Sequence, residues 1–245
     1  MKLQYKSYAK LNLFIRILEK RLDGYHNLQS IFEKINLFDV LTFESRRDNK
    51  ILLKSNIKAL EEENIIIDVI NLMKEKSKVK NIGLNINLRK NIPIGAGLGG
   101  GSSNAASALI AVNRLWKINK SNGYLKRLSL SIGSDIPFFL SHGNAWIEGR
   151  GDIITSIYTK PRWYVLVHAN VYISTKKMYE LVRINKTNHK CDYDDYTKNL
   201  VGNDFLNIVL STFPKLRTMY NKLSKFGDLN PVSYTHLTLP TIAIV

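Results

Sequence analysis

Pro93-Ile94-Gly95-Ala96-Gly97-Leu98-Gly99-Gly100-Gly101-Ser102-Ser103-Asn104 places five of the chain's 14 glycines within seven residues, and an alanine-rich helical pattern follows at once. Glycine lets the backbone take positive φ and bring its N–H groups close to a ligand, and a helix opening near Ser102 turns its positive end toward the same point. The stretch therefore predicts an anion cradle between a strand and a helix, most simply for the phosphates of a nucleotide.

The flanking sequence separates the kinds of glycine loop. Gly95, Gly97 and Gly100 match G-x-G-x-x-G, but a dinucleotide fold needs a buried parallel strand before the loop and an acidic residue about 20 positions after it. Here Ile82, Leu84, Ile86 and Leu88 alternate with Gly83, Asn85 and Asn87, the period of a half-exposed strand, and no acidic residue occurs from Lys76 to Ser134. No lysine follows the glycines in the Walker A position. A flexible spacer is a poor fit to a tight strand-to-helix loop.

That lack of acid singles out Asp135, the one carboxylate between Glu75 and Glu148, preceded by Lys76, Lys78, Lys80, Arg89, Lys90, Arg114, Lys117, Lys120, Lys126 and Arg127. In Gly133-Ser134-Asp135-Ile136-Pro137-Phe138-Phe139, Gly133 ends one helical pattern and Pro137 suits the first turn of another. Asp135 is then either a helix N-cap, a favoured place for aspartate, or a catalytic carboxylate; the two roles can coexist. At the N-terminus, Lys10 and Asn12 are two residues apart in a strand pattern and so share a face. Asp23-Gly24 predicts a turn, with Tyr25 and His26 directly after it.

Together, Ala9-Lys10-Leu11-Asn12-Leu13, Asp23-Gly24-Tyr25-His26, the loop from Pro93 to Ser103 and Ser134-Asp135-Ile136-Pro137 resemble the GHMP kinase superfamily. The resemblance runs from about Leu3 to Asp228 and includes Asn203-Asp204-Phe205. The loop alone indicates the superfamily; the D-G-Y-H segment narrows it to the branch acting on a cytidine diphosphate-linked methylerythritol in non-mevalonate isoprenoid synthesis. The resemblance implies Lys10 and Asp135 as the catalytic pair, Asp135 taking the proton of a substrate hydroxyl and Lys10 keeping it ionised. It implies ATP and Mg²⁺, with Asn64, Lys90 and the loop residues Pro93, Ile94, Gly95, Ala96, Gly97, Leu98, Gly99, Gly100, Gly101, Ser102 and Ser103 around the nucleotide and Ser102 or Ser103 near the metal. Tyr25 and His26 would recognise cytosine by stacking and hydrogen bonding, Tyr179 would cover its other face, and Asn12 and Thr175 would line the pocket of the remaining substrate. No dedicated metal-ligand cluster is implied.

Composition bounds the alternatives. The chain has 245 residues, 36 Lys and Arg against 20 Asp and Glu, a net charge of +16, and a single cysteine, Cys191. One cysteine excludes a disulfide framework and suits a reducing cytoplasm, which the resemblance implies is bacterial, and no apolar run reaches the roughly 18 residues of a membrane span. The charge also fits a basic RNA-binding module, since the N-terminal half of these kinases shares its architecture with a ribosomal protein domain. Another GHMP kinase, acting on homoserine or mevalonate, is the nearer alternative. The cradle and the isolated Asp135 favour an enzyme, and Tyr25-His26 favours the cytidylyl substrate. The expected partners are small molecules, not nucleic acid or membrane, in a monomer or homodimer.

Strands are predicted near Leu3–Tyr8, Asn12–Leu18, Val40–Glu44, Ile82–Leu88, Asn144–Ile147, Ile153–Ile157 and Trp163–His168. Helices are predicted near Ile65–Lys76, Ser102–Trp116, Tyr124–Ser131, Thr175–Arg183, Phe205–Thr212 and Lys215–Phe226. Elements mixed without strict alternation give an α+β class. The resemblance implies a two-part fold: an ATP-binding half over 1–160, ribosomal-protein-like, and a ferredoxin-like half over 161–230 that is incomplete. A break is expected near Thr159-Lys160-Pro161. Residues 231–245 match no part of the family pattern, which expects a third glycine-rich motif shortly after Gly227-Asp228; they resemble translated adapter sequence and are expected to be a non-native tail.

Overall fold

Two long strands organise the chain, β1 (Lys2–Lys20) and β2 (His26–Arg46), paired with each other and joined by the turn at Asp23-Gly24. The computed structural model describes residues 1–79, 82–168, 175–182, 189–198, 200–226, 230–231 and 236–241. The separate strands expected at Leu3–Tyr8 and Asn12–Leu18 are one continuous element. The reason is visible in its burial: Lys2 to Tyr8 alternate, whereas Ala9 to Ile15 are buried without interruption, so the two-residue period disappears mid-strand. The same merging extends the strand expected at Val40–Glu44 back to His26.

The chain divides into two compact units, and both long strands pass through each: Met1–Lys10, Lys34–Ile94 and Gly99–His142 form the first, Leu11–Glu33, Gly95–Leu98 and Gly143–Val245 the second. Thr159-Lys160-Pro161, where a break was expected, lies within the second unit.

In the first unit, β2 runs antiparallel to β4 (Gly83–Arg89), with Val40 opposite Arg89 and Arg46 opposite Gly83. β3 (Ile51–Ser55) lies parallel to β4 on its other side. A parallel pair needs a crossover, and α1 (Ile65–Ser77) supplies it. β3 escaped the sequence reading because five residues between Lys50 and Asn56 are too few to display a period. Leu84, Ile86 and Leu88 of β4 are buried while Asn85, Asn87 and Arg89 are exposed, as the alternation predicts. Their buried face packs with Ile66, Val69, Ile70 and Met73 of α1 and with Ala105, Ala106, Leu109 and Val112 of α2 (Gly100–Leu115). The alanines leave α2 little side-chain bulk on this face, which lets it approach closely. α3 (Asn122–Ser129), capped by Ser121, and the single turn α4 (Ile136–Phe139) complete the unit.

In the second unit, the first part of β2 pairs with β5 (Asn144–Glu148), Ser30 opposite Ile147, and β5 forms a hairpin with β6 (Ile153–Ile157), as expected around Gly149-Arg150-Gly151. β7 (Trp163–His168) belongs to a separate sheet with β8 (Asn230–Pro231) and β9 (His236–Thr241), in the order β7-β9-β8. The tail segment 236–241 is thus a strand antiparallel to β7; residues 232–235 and 242–245 lie outside the described residues. Helices α5 (Thr175–Leu181), α6 (Tyr193–Thr197), α7 (Leu206–Thr212) and α8 (Pro214–Leu223) follow. Ile15, Ile17, Met178, Phe205, Val209 and Leu216 form a core here. The class is α+β, and among the described residues no helix is long and apolar enough to cross a membrane.

Candidate active site

β1 carries Lys10 in its doubly buried stretch, and the turn before α4 carries Asp135. The Lys10 ammonium lies 3.7 Å from Asp135 Oδ2, with side-chain exposures of 5% and 36%. Asp135 is therefore the open member of the pair, and Lys10 sits behind it. Burial pushes the Lys10 pKa down, and the Asp135 carboxylate pushes back. At 3.7 Å the contact is an ion pair, longer than a direct hydrogen bond. The structure bears on the capping reading of Asp135. It occupies the N-cap position of α4 yet makes no side-chain cap hydrogen bond, so its carboxylate is turned to Lys10 instead of the helix.

The glycine loop has the backbone the sequence predicts. Gly95, Gly97 and Gly99 have φ of 68°, 69° and 68°, while Ala96 and Leu98 between them are not in the positive-φ region and are buried. Alternation of this kind turns successive N–H groups toward one side, the arrangement that binds anions. α2 starts at Gly100, two residues earlier than expected, with Gly99 as its N-cap and no acidic side chain in its first turn. Ser102 is half-buried and Ser103 buried in that turn, and Pro93 and Ile94 are exposed at the entrance to the loop. Gly99 is the residue at which the loop meets Lys10 and α4. A Cβ there would lie 2.7 Å from Phe139 Cζ and 3.0 Å from Lys10 Cγ, so the backbone at Gly99 packs directly on α4 and on the Lys10 side chain.

Two residues assigned to the nucleotide have protein partners. Asn64 is the N-cap of α1: its Oδ1 accepts from Ile66 N at 3.0 Å and its Nδ2 donates to Leu60 O at 3.0 Å. The Lys90 ammonium donates to Asp39 Oδ2 at 2.6 Å, a pair whose side chains are 6% and 0% exposed. Asp39 was not foreseen; its signal is a lone carboxylate amid apolar residues in Leu37-Phe38-Asp39-Val40.

The residues implied for cytosine cluster in the second unit. Gly24, at φ 84°, makes the turn, and Asp23 Oδ1 accepts from Tyr25 N at 3.2 Å while its carboxylate pairs with Arg21. Tyr25 is left 54% exposed, with the Arg150 guanidinium 5.5 Å from its ring centre. Arg150, at the β5–β6 turn, is a second unforeseen neighbour. His26 and Tyr179 stack on each other, centroids 5.3 Å apart and planes 24° apart, so each ring covers the other. Burial and the nearby Lys20 push the His26 pKa down, which keeps the imidazole neutral and able to donate from one nitrogen and accept at the other.

Asn203-Asp204-Phe205 explains how Tyr179 is placed. Ile15 N donates to Gly202 O at 3.1 Å, Asp204 N to Ile15 O at 2.9 Å, and Ile17 N to Asp204 Oδ2 at 2.7 Å, so the segment lies along β1 like a short parallel strand. Phe205, buried by that pairing, meets Tyr179 edge-on at 5.1 Å. Asn12 is buried two residues beyond Lys10. Thr175 opens α5, but its side chain lies outside the described residues, as does Ser174.

The model of the GHMP kinases N-terminal domain matches residues 64–143, the stretch from Asn64 through the loop to beyond Asp135. The 4-diphosphocytidyl-2-C-methyl-D-erythritol kinase of Francisella philomiragia is 39% identical over 223 residues, covering 90% of this chain and 81% of that one. The chain belongs to this kinase family. The family's member from Buchnera aphidicola is also 39% identical, over 91% of this chain and 79% of its own. Among solved structures, a 4-(cytidine 5'-diphospho)-2C-methyl-D-erythritol kinase superposes with a TM-score of 0.82 at 24% identity, over 98% of this chain and 90% of that one. A mevalonate kinase gives 0.70 at 14% identity, over 99% and 91%. At such identities the two structures establish a shared fold.

Proposed function

We propose that the chain transfers the γ-phosphoryl group of ATP to the 2-hydroxyl of 4-diphosphocytidyl-2-C-methyl-D-erythritol, releasing ADP. The observation that carries this reading is the Lys10–Asp135 pair packed against a glycine cradle in a chain of this family. The substrate hydroxyl gives its proton toward Asp135 as its oxygen attacks the γ-phosphorus, and the bond from that phosphorus to the β,γ-bridging oxygen breaks. Lys10 orients Asp135 from behind and adds positive charge where negative charge spreads over the transferring group. The loop amides and the first turn of α2 bind the ATP phosphates.

Mg²⁺ fits this donor set. A magnesium ion commonly takes one or two protein oxygens and completes its shell with phosphate and water, so it does not require an acidic cage. No group of three or more His, Cys, Asp or Glu able to hold an ion occurs among the described residues; the half-buried Ser102 hydroxyl is the residue that would meet an ion carried by ATP. When bound, the ion neutralises phosphate charge.

Tyr25, His26 and Tyr179 recognise the cytosine, the neutral His26 ring by hydrogen bonds to the base edge. The stacked His26–Tyr179 pair means that these two rings do not sandwich a base as they stand; Tyr25, the exposed ring, offers the free face. His26→Ala and Tyr25→Ala are expected to raise KM for the cytidylyl substrate about tenfold, with KM for ATP nearly unchanged. A shift in the ATP value instead would reverse the assignment of the pocket. The whole reading is tested by incubating the purified chain with Mg-ATP and, separately, the cytidylyl substrate, mevalonate and homoserine. Turnover of the first alone is expected, and equal turnover of either other alcohol would refute it.

A further inference from the structure

Lys90 has two neighbours that set where its charge can be. Its ammonium is held by Asp39 Oδ2, and a Cβ on Gly100 would lie 2.8 Å from the same nitrogen. Gly100 is not among the positive-φ glycines, so what this position needs from glycine is room, and the Lys90 ammonium fills it. Asp39 Oδ1 meanwhile accepts from Asn91 N at 2.7 Å and from Ile92 N at 2.8 Å. One buried carboxylate thus binds three successive residues at the entrance to the loop. Asn56 secures the same point from the other side, its Oδ1 accepting from Lys90 N at 2.7 Å and its Nδ2 donating to Lys90 O at 3.0 Å.

We propose that Asp39 is a positioning residue for nucleotide binding: its carboxylate fixes the Lys90 ammonium against the first turn of α2, where the cation completes the positive cradle for the ATP phosphates. The inference rests on the kinase reading above. A lysine free to rotate would have to be ordered each time nucleotide bound, at a cost in side-chain entropy; here Asp39 has ordered it in advance. Stability does not call for such a pair, because a buried ion pair can usually be replaced by neutral residues of similar shape without loss. The pair's location beside the helix start gives it a use that a neutral pair would not have.

The charges around Lys90 make the idea testable by pH. Asp39 of β2 is the carboxylate that faces it; α2 offers the Gly100 backbone and no acid in its first turn, Asn56 is uncharged, Ile92 is apolar, and Lys10 of β1 is the cation that packs on the neighbouring Gly99. Burial pushes the Lys90 pKa down and Asp39 raises it. Losing the carboxylate should therefore let Lys90 lose its proton, and its hold on phosphate, at a lower pH.

The experiment uses the full chain with Mg-ATP and the cytidylyl substrate. The double variant Asp39→Asn/Lys90→Met, which removes both charges at once, is expected to fold with a Tm close to that of the parent. Its KM for Mg-ATP should rise about tenfold, with kcat within about threefold and KM for the other substrate unchanged. In Asp39→Asn alone, KM for Mg-ATP should climb from pH 7 to pH 9 relative to the parent, a dependence that Lys90→Met lacks. The double variant keeps the test decisive if the single one fails to fold. A double variant with the parent's KM for Mg-ATP, or an Asp39→Asn profile parallel to the parent's, would overturn the proposal while leaving the kinase reading intact. Failure of the parent itself to bind Mg-ATP would remove both.

Discussion

Asp135→Asn is expected to lower kcat by at least about a hundredfold while the affinity for Mg-ATP stays nearly intact, the usual scale for loss of a general base. Asparagine keeps the shape and one acceptor oxygen but cannot take a proton at neutral pH or balance the Lys10 charge. The helix start gives no competing explanation, since Asp135 makes no cap hydrogen bond to lose; asparagine would in any case cap as well as aspartate. Lys10 is left buried beside a neutral amide, so its pKa should fall further and the site should lose positive charge as well as its base. Steady-state kinetics together with equilibrium nucleotide binding checks both halves of the expectation. Near-normal turnover in a folded variant would return Asp135 to a structural role at the start of α4.

Gly99→Ala is expected to damage stability and catalysis together. Its φ of 68° is a conformation that costs an L residue about 1–2 kcal/mol, and the added Cβ would meet the Phe139 ring at 2.7 and 2.9 Å and Lys10 Cγ at 3.0 Å. Relief must come from moving the loop, Lys10 or Phe139, and Phe139 belongs to the single turn that begins just after Asp135. Strain and overpacking together suggest a loss of about 2–4 kcal/mol, or a fall in Tm of roughly 5–15 °C, with kcat reduced at least about tenfold. Gly143→Ala is the control, because Gly143 has the same φ of 68° but nothing within 4 Å of the added carbon. It should show the conformational cost alone and an unchanged kcat. Equal effects of the two substitutions on Tm and kcat would mean that the contact with Lys10 and Phe139 is unimportant.

Much of the site was legible because its residues are unusual in their own stretch of chain. Asp135 stands out as the one acid in a long basic segment, the glycines as a dense cluster before a helix, and Asp23-Gly24 as a turn. None of these signals depends on distant contacts. The residues that escaped are those whose role is set by something far away in sequence. Asp39 is an ordinary strand carboxylate until Lys90 and the Asn91 and Ile92 amides fold onto it, and Arg150 is an ordinary turn cation until its hairpin brings it to Tyr25.

The elements divide the same way. Alternation in β4, the amphipathic pattern of α1 and the hairpin of β5 and β6 are local periodicities, and the expected spans agree with the observed ones to within a residue or two. β1 does not announce its length, because burial of Ala9 to Ile15 without a break erases the alternation that would mark a strand. Local chemistry alone was enough to mark a glycine loop of positive φ before a helix and one exceptional carboxylate, and the resemblance of the motif set was enough to indicate a GHMP kinase. Whether Asp135 caps a helix or faces Lys10, and whether Gly100 is needed for backbone freedom or for space, depended on which side chains the fold brings alongside. A residue's own type and period fix what it can do, but the partner that it does it with is chosen by packing between segments that the sequence keeps apart.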